Sequence, residues 1–297
     1  MSVIRIGTRG SKLALAQTNR VAALLEEQGV RTEIEIISTR GDRVTDRALH
    51  EAGGYGLFVR ELDNAILDGR IDAAVHSMKD IPAERPAGLA LSAVLKRDPP
   101  FDFLAVEKPM EEVSTIGTSS LRRRAQLLRY YHQYPEMHVA NLRGNIDTRL
   151  AKLEAGEYDA IVLAEAALIR LGLQIHGFRL SADSFVPAPN QGTIAVVSRD
   201  TAELRAAFAP LNDSQTAFDT AAERAVMEEI GGGCFTPQGV YCQGGKILAE
   251  ILSLDGTKSC RVEGMISSIE EAHAIGRELK ERAADLIAAA RRVVEGE

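Results

Sequence analysis

The stretch IRIGTRGSKLALAQ at residues 4–17 returns in altered form as STIGTSSLRRRAQ at residues 114–126. Each copy begins with a short apolar run, passes through an Ile-Gly-Thr turn and ends with the periodicity of an amphipathic helix. Strands that alternate with helices in this way predict βαβ units on a mainly parallel sheet, so we expect two related α/β lobes. Two further pairs of similar stretches support the repeat: IEIISTRGD (34–42) with MHVANLRGN (137–145), and GRIDAAVHS (69–77) with GEYDAIVLA (156–164).

Proline-rich segments mark the joints between the two lobes. KRDPPFD at residues 96–102 leads from the first lobe to the second, and VPAPNQG at residues 186–192 follows the second. The run TIAVVS at residues 193–198 then indicates a strand that returns to the first sheet. Two crossings between two lobes are typical of a hinge with a cleft between them.

The sequence changes pattern near Ser214, where a helix, three strands and one long terminal helix at residues 270–296 predict a small α+β domain. We therefore expect a discontinuous first lobe at residues 1–96 and 191–210, a second lobe at residues 97–190, and a C-terminal domain at residues 211–297.

Composition excludes several classes of protein. The chain has 297 residues, a formal net charge of −7 and a pI near 5.5, which argue against general binding of nucleic acid. Three cysteines without a CxxC pair indicate a reducing cytoplasm, with neither a disulfide framework nor a zinc site. No apolar run approaches the ~20 residues of a membrane helix, and the N-terminus lacks a signal-peptide pattern. We expect a cytoplasmic protein with no metal, membrane or nucleic-acid partner.

Basic and hydroxyl residues follow the repeated strands. Ligands of open α/β sheets bind beyond the C-terminal ends of the strands, where helix N-termini add N–H donors for anions. The planar guanidinium fork suits carboxylate or phosphate. For Arg124 and Arg129, which lie away from strand ends, we favour a solvated helix face. The remaining residues predict an anion cleft, and they are Thr8, Arg9, Ser11, Thr118, Ser119, Arg122, Arg123, Arg143 and Arg149.

The stretch VHSMKDIP at residues 75–82 places Lys79 and Asp80 directly after a predicted strand. An acid among cations keeps its charge because its pKa is lowered, so Asp80 could stabilise a cationic intermediate or relay a proton. A Lys-Asp surface turn before a proline remains the alternative. We interpret His76, at the end of the apolar strand, as a hydrogen-bonded structural residue.

Cys234 lies in the glycine-rich stretch EEIGGGCFTP at residues 228–237. Glycines allow a ligand to approach the backbone, and a thiolate is a strong nucleophile. Cys242 and Cys260 fall on predicted strands, where packing explains them, so we predict that Cys234 is the functional cysteine. The glycine-rich segment at residues 44–62 is either a lid over a site or a disordered insertion.

Six stretches stand in the order found in the porphobilinogen deaminase family, also called hydroxymethylbilane synthase, which the sequence closely resembles. The resemblance implies two lobes like those of periplasmic binding proteins, with a hinged cleft, and a small α+β C-terminal domain. It implies a transferase that joins four porphobilinogen molecules head to tail into a linear tetrapyrrole and releases ammonia. The six stretches are GTRGSKLALAQ, VHSMKDIP, GTSSLRRRAQ, LRGNIDTRL, GEYDAIVLA and GGGCFTP.

The family's cofactor is a dipyrromethane joined through a thioether to a cysteine that matches Cys234. The resemblance also implies that Asp80 is the catalytic aspartate, with Lys79 beside it. Each pyrrole carries an acetate and a propionate, so a dense group of arginines on an acidic protein would hold carboxylates. The residues that the motifs assign to cofactor binding are Cys234, Arg9, Ser11, Ser77, Thr118, Ser119, Arg122, Arg123, Arg143 and Arg149. We expect porphobilinogen as the substrate and a monomer.

Four positions depart from the family pattern: Tyr55 replaces a usual lysine, Asn190 a glycine, Thr193 an alanine and Phe101 a frequent arginine. Two other classes of protein remain as alternatives. A ligand-binding module of the same two-lobed fold would bind without turnover. A phosphate-handling transferase, such as a phosphoribosyltransferase, would need a phosphate loop and an acidic pair for Mg²⁺, and the sequence shows neither.

Overall fold

The computed structural model describes residues 3–39, 59–82, 85–134, 136–231 and 236–295. Contacts divide the chain into two compact units. The first unit comprises Met1–Asp98, Ile169–Gly172 and Gly192–Ala217; the second comprises Pro99–Leu168, Leu173–Gln191 and Phe218–Glu297. The domain boundaries expected from the sequence, and the hinged cleft, stay predictions.

The described part of the chain forms three sheets. Their strands are β1 Ile4–Thr8, β2 Thr32–Ile36, β3 Ala73–Ser77, β4 Leu89–Val94, β5 Asp102–Val106, β6 Thr115–Gly117, β7 His138–Ala140, β8 Ala160–Ala164, β9 Gly177–Arg179, β10 Ile194–Arg199, β11 Gln238–Gln243, β12 Lys246–Leu252 and β13 Ser259–Met265. The α-helices are α1 Lys12–Glu27, α2 Arg60–Leu67, α3 Leu121–Tyr130, α4 Ile146–Glu154, α5 Glu165–Leu171, α6 Ala202–Phe208, α7 Ser214–Ile230, α8 Ile269–Arg282 and α9 Ala284–Glu295.

The first two sheets have the same architecture. The first unit has the strand order β2-β1-β3-β10-β4, and the second unit contains a sheet with the order β7-β6-β8-β5-β9. In each sheet the first three strands are parallel and the fourth runs antiparallel to its neighbours. The predicted repeat is therefore confirmed, and β10 joins the first sheet as expected.

The central strands are buried because helices cover both faces of such a sheet. β3 and β8 have four buried residues each before their last, half-buried residue, which is typical of parallel strands. The Ile-Gly-Thr turn requires glycine on packing grounds: a Cβ on Gly117 would lie 2.8 Å from Cδ1 of Tyr158. The repeated glycine reflects a close approach between strand and neighbouring side chains.

The third sheet is an antiparallel meander in the order β11-β12-β13. Its core combines α7, α8 and α9 with the sheet through buried residues such as Val226, Val240, Leu279 and Ile287. The α/β class with two lobes and a small α+β C-terminal part is confirmed. The expectation of one long terminal helix is wrong, because the chain forms α8 and α9 with Ala283 between them.

Candidate active site

The first sheet brings one group of predicted site residues to a single edge. β1 and β3 are parallel neighbours, with Ile6 paired to Ala73, so their C-terminal ends lie at the same edge. Thr8 ends β1 and is fully buried, and Ser77 ends β3 half-buried. The residues that follow these strands are Arg9, Ser11, Lys79 and Asp80.

Hydrogen bonds brace this edge. Ser11 is the N-cap of α1, and its hydroxyl accepts a hydrogen bond from the N–H of Ala14 at 3.3 Å. Gln17, buried on the same helix, donates from Nε2 to the hydroxyl of Ser77 at 2.9 Å. Both predicted serines therefore have a structural role: Ser11 caps α1, and Ser77 ties the end of β3 to that helix.

Asp80 ends a one-turn 3-10 helix at Met78–Asp80. Met78 is 2% exposed, and its N–H donates to the carbonyl of Thr193 at 2.9 Å, which anchors the turn. Asp80 is exposed and its carboxylate forms no hydrogen bond with the described residues, whereas Lys79 is half-buried. A fixed backbone thus presents a solvent-facing carboxylate at the sheet edge.

His76 is buried in β3, one residue before Ser77. Burial, and then the charges of Arg85 and Arg9, lower the pKa of its imidazole to about 3. Its Nε2 has no hydrogen-bond partner among the described residues, so the interpretation of His76 as hydrogen-bonded is wrong. Two arginine charges reach this position, which makes the edge of the first sheet electropositive.

The second sheet gathers another group of predicted residues at the equivalent edge. The N–H of Thr118 donates to the carbonyl of Ala140 at 2.9 Å, and Ser120 caps α3 by accepting from the N–H of Arg123. The hydroxyl of Ser119 lies 2.5 Å from Oδ1 of Asn141 and also contacts the carbonyl of Leu142. The Thr-Ser-Ser turn is therefore held to the end of β7.

Arg122 and Arg123 both pair with Asp102, a buried residue that sequence reasoning missed. Nη1 of Arg122 lies 2.7 Å from Oδ2 of Asp102, and Nη2 of Arg123 lies 2.7 Å from Oδ1. Asp102 is 0% exposed, and the two arginines are 5% and 7% exposed. Burial alone would raise the pKa of Asp102, but both guanidinium groups outweigh it and hold that pKa well below its usual range. No local signal marks this aspartate beyond its place after two prolines.

Arg143 and Arg149 differ from that pair because neither forms an ion pair with an acid of the described ranges. Asn145 caps α4, and Nε of Arg149 donates to the carbonyl of Gly144 at 2.8 Å. Burial, together with the charge of Arg123, lowers the pKa of Arg149 to about 10. Arg143 is half-buried and forms no hydrogen bond or ion pair within the described ranges. A carboxylate at this edge would supply the missing counter-charge.

The structure separates the two arginines that we expected on solvated helix faces. Arg124 is exposed, and its Nη1 donates to the carbonyl of Val139 at 2.7 Å. Arg129 is half-buried and its Nη1 lies 2.5 Å from Oε1 of Glu250, which is 1% exposed on β12. The solvated interpretation of Arg129 is therefore wrong, because β12 packs against α3.

The predicted functional cysteine, Cys234, lies outside the described residues, as do Tyr55 and most of the segment at residues 44–62. The other two cysteines lie on strands, as predicted. Cys242 is fully buried on β11, and Cys260 is half-buried on β13. Burial, and the charges of Asp219 and Glu223, raise the pKa of the Cys242 thiol far above its usual range.

The described ranges contain no group of three or more histidine, cysteine, aspartate or glutamate residues that could hold a metal ion. Within the same ranges, no helix combines the length and apolar character needed to cross a bilayer.

Two family models match the chain. The model described as "Porphobilinogen deaminase, dipyromethane cofactor binding domain" matches residues 4–206, and "Porphobilinogen deaminase, C-terminal domain" matches residues 217–285. Among solved structures, a periplasmic substrate-binding protein of an ABC transporter from Coxiella burnetii aligns at a TM-score of 0.43 and 15% identity, over 72% of this chain and 94% of that one. The periplasmic molybdate-binding protein of Azotobacter vinelandii aligns at 0.39 and 14% identity, over 74% and 95%.

Curated relatives cover nearly the whole chain. The "Probable porphobilinogen deaminase" of Methanosarcina acetivorans is 52% identical over 291 residues, which are 93% of this chain and 91% of that protein. The protein of the same description from Archaeoglobus fulgidus is 45% identical over 285 residues, 93% of this chain and 96% of the relative. The chain belongs to the porphobilinogen deaminase family.

Proposed function

We propose that the porphobilinogen deaminase activity of this chain is carried by Asp80 in the first unit and by a group of arginines in the second. The activity itself follows from family membership: the enzyme polymerises porphobilinogen into hydroxymethylbilane in tetrapyrrole synthesis, with a dipyrromethane cofactor. The observation that carries the proposed residues is Arg149, a cation that pairs with no acid among the described residues and whose pKa is already lowered.

The arginines fit a substrate whose carboxylates accumulate. Every pyrrole unit adds an acetate and a propionate, so a growing chain needs several cations that the protein has not already neutralised. Arg143 and Arg149 meet this need directly, because no described acid pairs with them. Arg122 and Arg123 add one further net positive charge after Asp102 is counted. We also assign Thr118 and Ser119 to carboxylate binding, through their hydroxyl groups just before α3.

A dipyrromethane fits these residues, because its own carboxylates require the same cations. We propose Cys234 as its attachment point, in the glycine-rich stretch that follows α7. When bound, the cofactor supplies the primer whose free pyrrole carbon is extended. Arg143 and Arg149 would hold its carboxylates, and Arg9, Ser11 and Ser77 would provide donors at the edge of the first sheet.

Asp80 is suited to hold negative charge beside a reacting pyrrole. Its carboxylate is exposed and bonded to no described residue, while Met78 fixes the backbone on which it stands. The carboxylate can accept the N–H of a pyrrole and stabilise the positive charge that forms as ammonia leaves. Lys79 precedes it in the same turn and adds a positive charge there. A preorganised carboxylate of this kind lowers the barrier without a proton having to move.

We also propose that the enzyme acts as a monomer in the cytoplasm and binds no nucleic acid. The acidic pI near 5.5 and the three cysteines without a CxxC pair support this assignment.

The direct test supplies porphobilinogen to the purified protein and measures ammonia and linear tetrapyrrole together. The proposal expects one ammonia for every porphobilinogen consumed, and a strong loss of both products in Arg149→Gln. Arg205→Gln is the matched control, since Arg205 is an exposed helical arginine paired with Asp200 at 2.6 Å. Binding without ammonia release would indicate a binding module and refute the proposal.

A further inference from the structure

Asp102 joins three parts of the second unit in one buried cluster. Its Oδ1 accepts from Nε of Arg123 at 3.0 Å and from Nε2 of Gln191 at 2.9 Å. The same Nε2 of Gln191 donates to the carbonyl of Pro100 at 2.7 Å. Asp102 lies near Pro99, where the first segment of this unit begins, and Gln191 ends its second segment. The carboxylate thus connects these two segment ends to the arginine pair.

The arginine pair cannot exist in this form without Asp102. Two adjacent buried guanidinium groups repel each other, and the carboxylate between them supplies the compensating charge. Backbone carbonyls complete the cage: Val186 accepts from Arg122 at 2.8 Å and Val162 accepts from Arg123 at 3.0 Å. The side chains of Arg122 and Arg123 are 6% and 9% exposed, so most of each guanidinium contacts protein. Asp102 therefore decides where both positive charges stand.

The position of the Arg123 charge affects Arg149, which we assign to carboxylate binding. The positive charge of Arg123 acts on Arg149, which pairs with no acid in the described part of the chain. A displaced Arg123 would change the field at Arg149 although Asp102 itself lies too deep to touch a ligand.

We propose that Asp102 is a positioning residue for carboxylate binding: it fixes the guanidinium of Arg123 and ties it, through Gln191, to two segment ends of the second unit. The inference rests on the proposed function, because it assumes that these arginines bind the carboxylates of the pyrrole chain. It assigns to Asp102 no contact with substrate.

The test compares Asp102→Asn with Asp159→Asn. Asp159 is a matched control because it also accepts several hydrogen bonds in the same sheet, from Lys108 at 2.5 Å and from the N–H of Thr115 at 2.8 Å, but at the opposite end of β6. On cofactor-loaded protein, Asp102→Asn should raise the KM for porphobilinogen at least about tenfold, with a much smaller change in kcat. The fraction of Asp102→Asn chains that carry the dipyrromethane adduct, measured by intact-protein mass, should fall. Asp159→Asn should change neither quantity.

A second variant guards against a protein that fails to fold. Gln126 lies 3.0 Å from Nη1 of Arg122 through its Oε1, so Asp102→Asn with Gln126→Glu restores the charge balance without restoring the partner of Arg123. The proposal expects this double variant to regain thermal stability while the KM and the adduct fraction stay defective. A double variant with normal KM and normal adduct fraction, or a normal KM in Asp102→Asn alone, would overturn the proposed role of Asp102. If the parent and Asp159→Asn release no ammonia from porphobilinogen, the proposed function itself fails and this inference falls with it.

Discussion

The guanidinium of Arg149 lies within the electrostatic reach of Arg123, and no acidic side chain of the described chain pairs with Arg149. Arg123 by contrast has Asp102 at 2.7 Å. Arg123 is thus paired with a carboxylate, whereas Arg149 has no counter-charge among the described residues. Of the two, Arg149 therefore offers a ligand carboxylate the more direct partner.

Removal of the Arg149 charge should weaken binding of porphobilinogen. We expect Arg149→Gln to raise the KM on loaded protein by about 30-fold or more, since a partly buried charged pair is worth about 2–5 kcal/mol. The KM of Arg149→Lys should lie between those of the parent and Arg149→Gln, because lysine keeps the charge but lacks the planar guanidinium fork. Steady-state kinetics at two ionic strengths measures both effects. An unchanged KM in Arg149→Gln would show that the carboxylates are held elsewhere.

Asp80 should control the chemical step and leave loading unaffected. We expect Asp80→Asn to fold and to carry cofactor, while its single-turnover rate falls by about 10²–10³-fold, the usual loss for an electrostatic group at a reacting centre. Asp80→Glu keeps the charge but displaces it, so its rate should lie between those of Asn and parent. Asp68→Asn, at an exposed acid that follows α2, is the control. A near-parental rate in Asp80→Asn would leave only the surface-turn interpretation.

His76 should make the fold sensitive to acid. In the folded protein its pKa is lowered from 6.5 to about 3, so between these values the unfolded chain binds more protons than the folded one. Stability should therefore fall as the pH drops below 6.5, by up to about 1.4 kcal/mol per pH unit. Urea unfolding between pH 7 and pH 4 should show a smaller slope in His76→Gln than in the exposed-site control His176→Gln. Equal slopes in the two variants would contradict the assignment.

Asn190 occupies a backbone position that suits glycine. Its φ is 61°, and its buried Oδ1 has no hydrogen-bond partner among the described residues. Asn190→Gly should therefore be at least as stable as the parent, whereas Asn190→Ala should lose about 1 kcal/mol because a Cβ disfavours this conformation. Denaturant unfolding of the two variants tests the order. A more stable Ala variant would mean that backbone conformation does not explain this position.

The sequence predicted those features that repeat locally. The paired Ile-Gly-Thr stretches led to two sheets of the same strand order, because hydrophobic periodicity and turn glycines are local properties. Contacts between distant residues could not be found in the same way. Asp102 lies 20 residues from Arg122, and Glu250 lies 121 residues from Arg129, and neither acid carries a motif. The break at Ala283 was also hidden, since no glycine or proline marks it and buried residues continue through both helices.

Departures from the family pattern acquire different meanings in the structure. Asn190 keeps the backbone conformation that a glycine would adopt. Phe101 accepts the guanidinium of Arg179 over its ring at 4.6 Å and meets Tyr241 edge-on at 6.1 Å, so it packs β5 against β9 and β11. Thr193 has a buried hydroxyl without a partner among the described residues, and nothing in the structure explains it.

The attachment of the cofactor to Cys234 is tested most directly by intact-protein mass with peptide mapping. Cys242 is an unsuitable nucleophile, because burial and two nearby acids keep its thiol protonated. In protein from a host that makes porphobilinogen, we predict a mass excess of two linked pyrrole units, located on Cys234 and absent from Cys234→Ser. An unmodified mass, or an adduct on Cys242 or Cys260, would contradict the account.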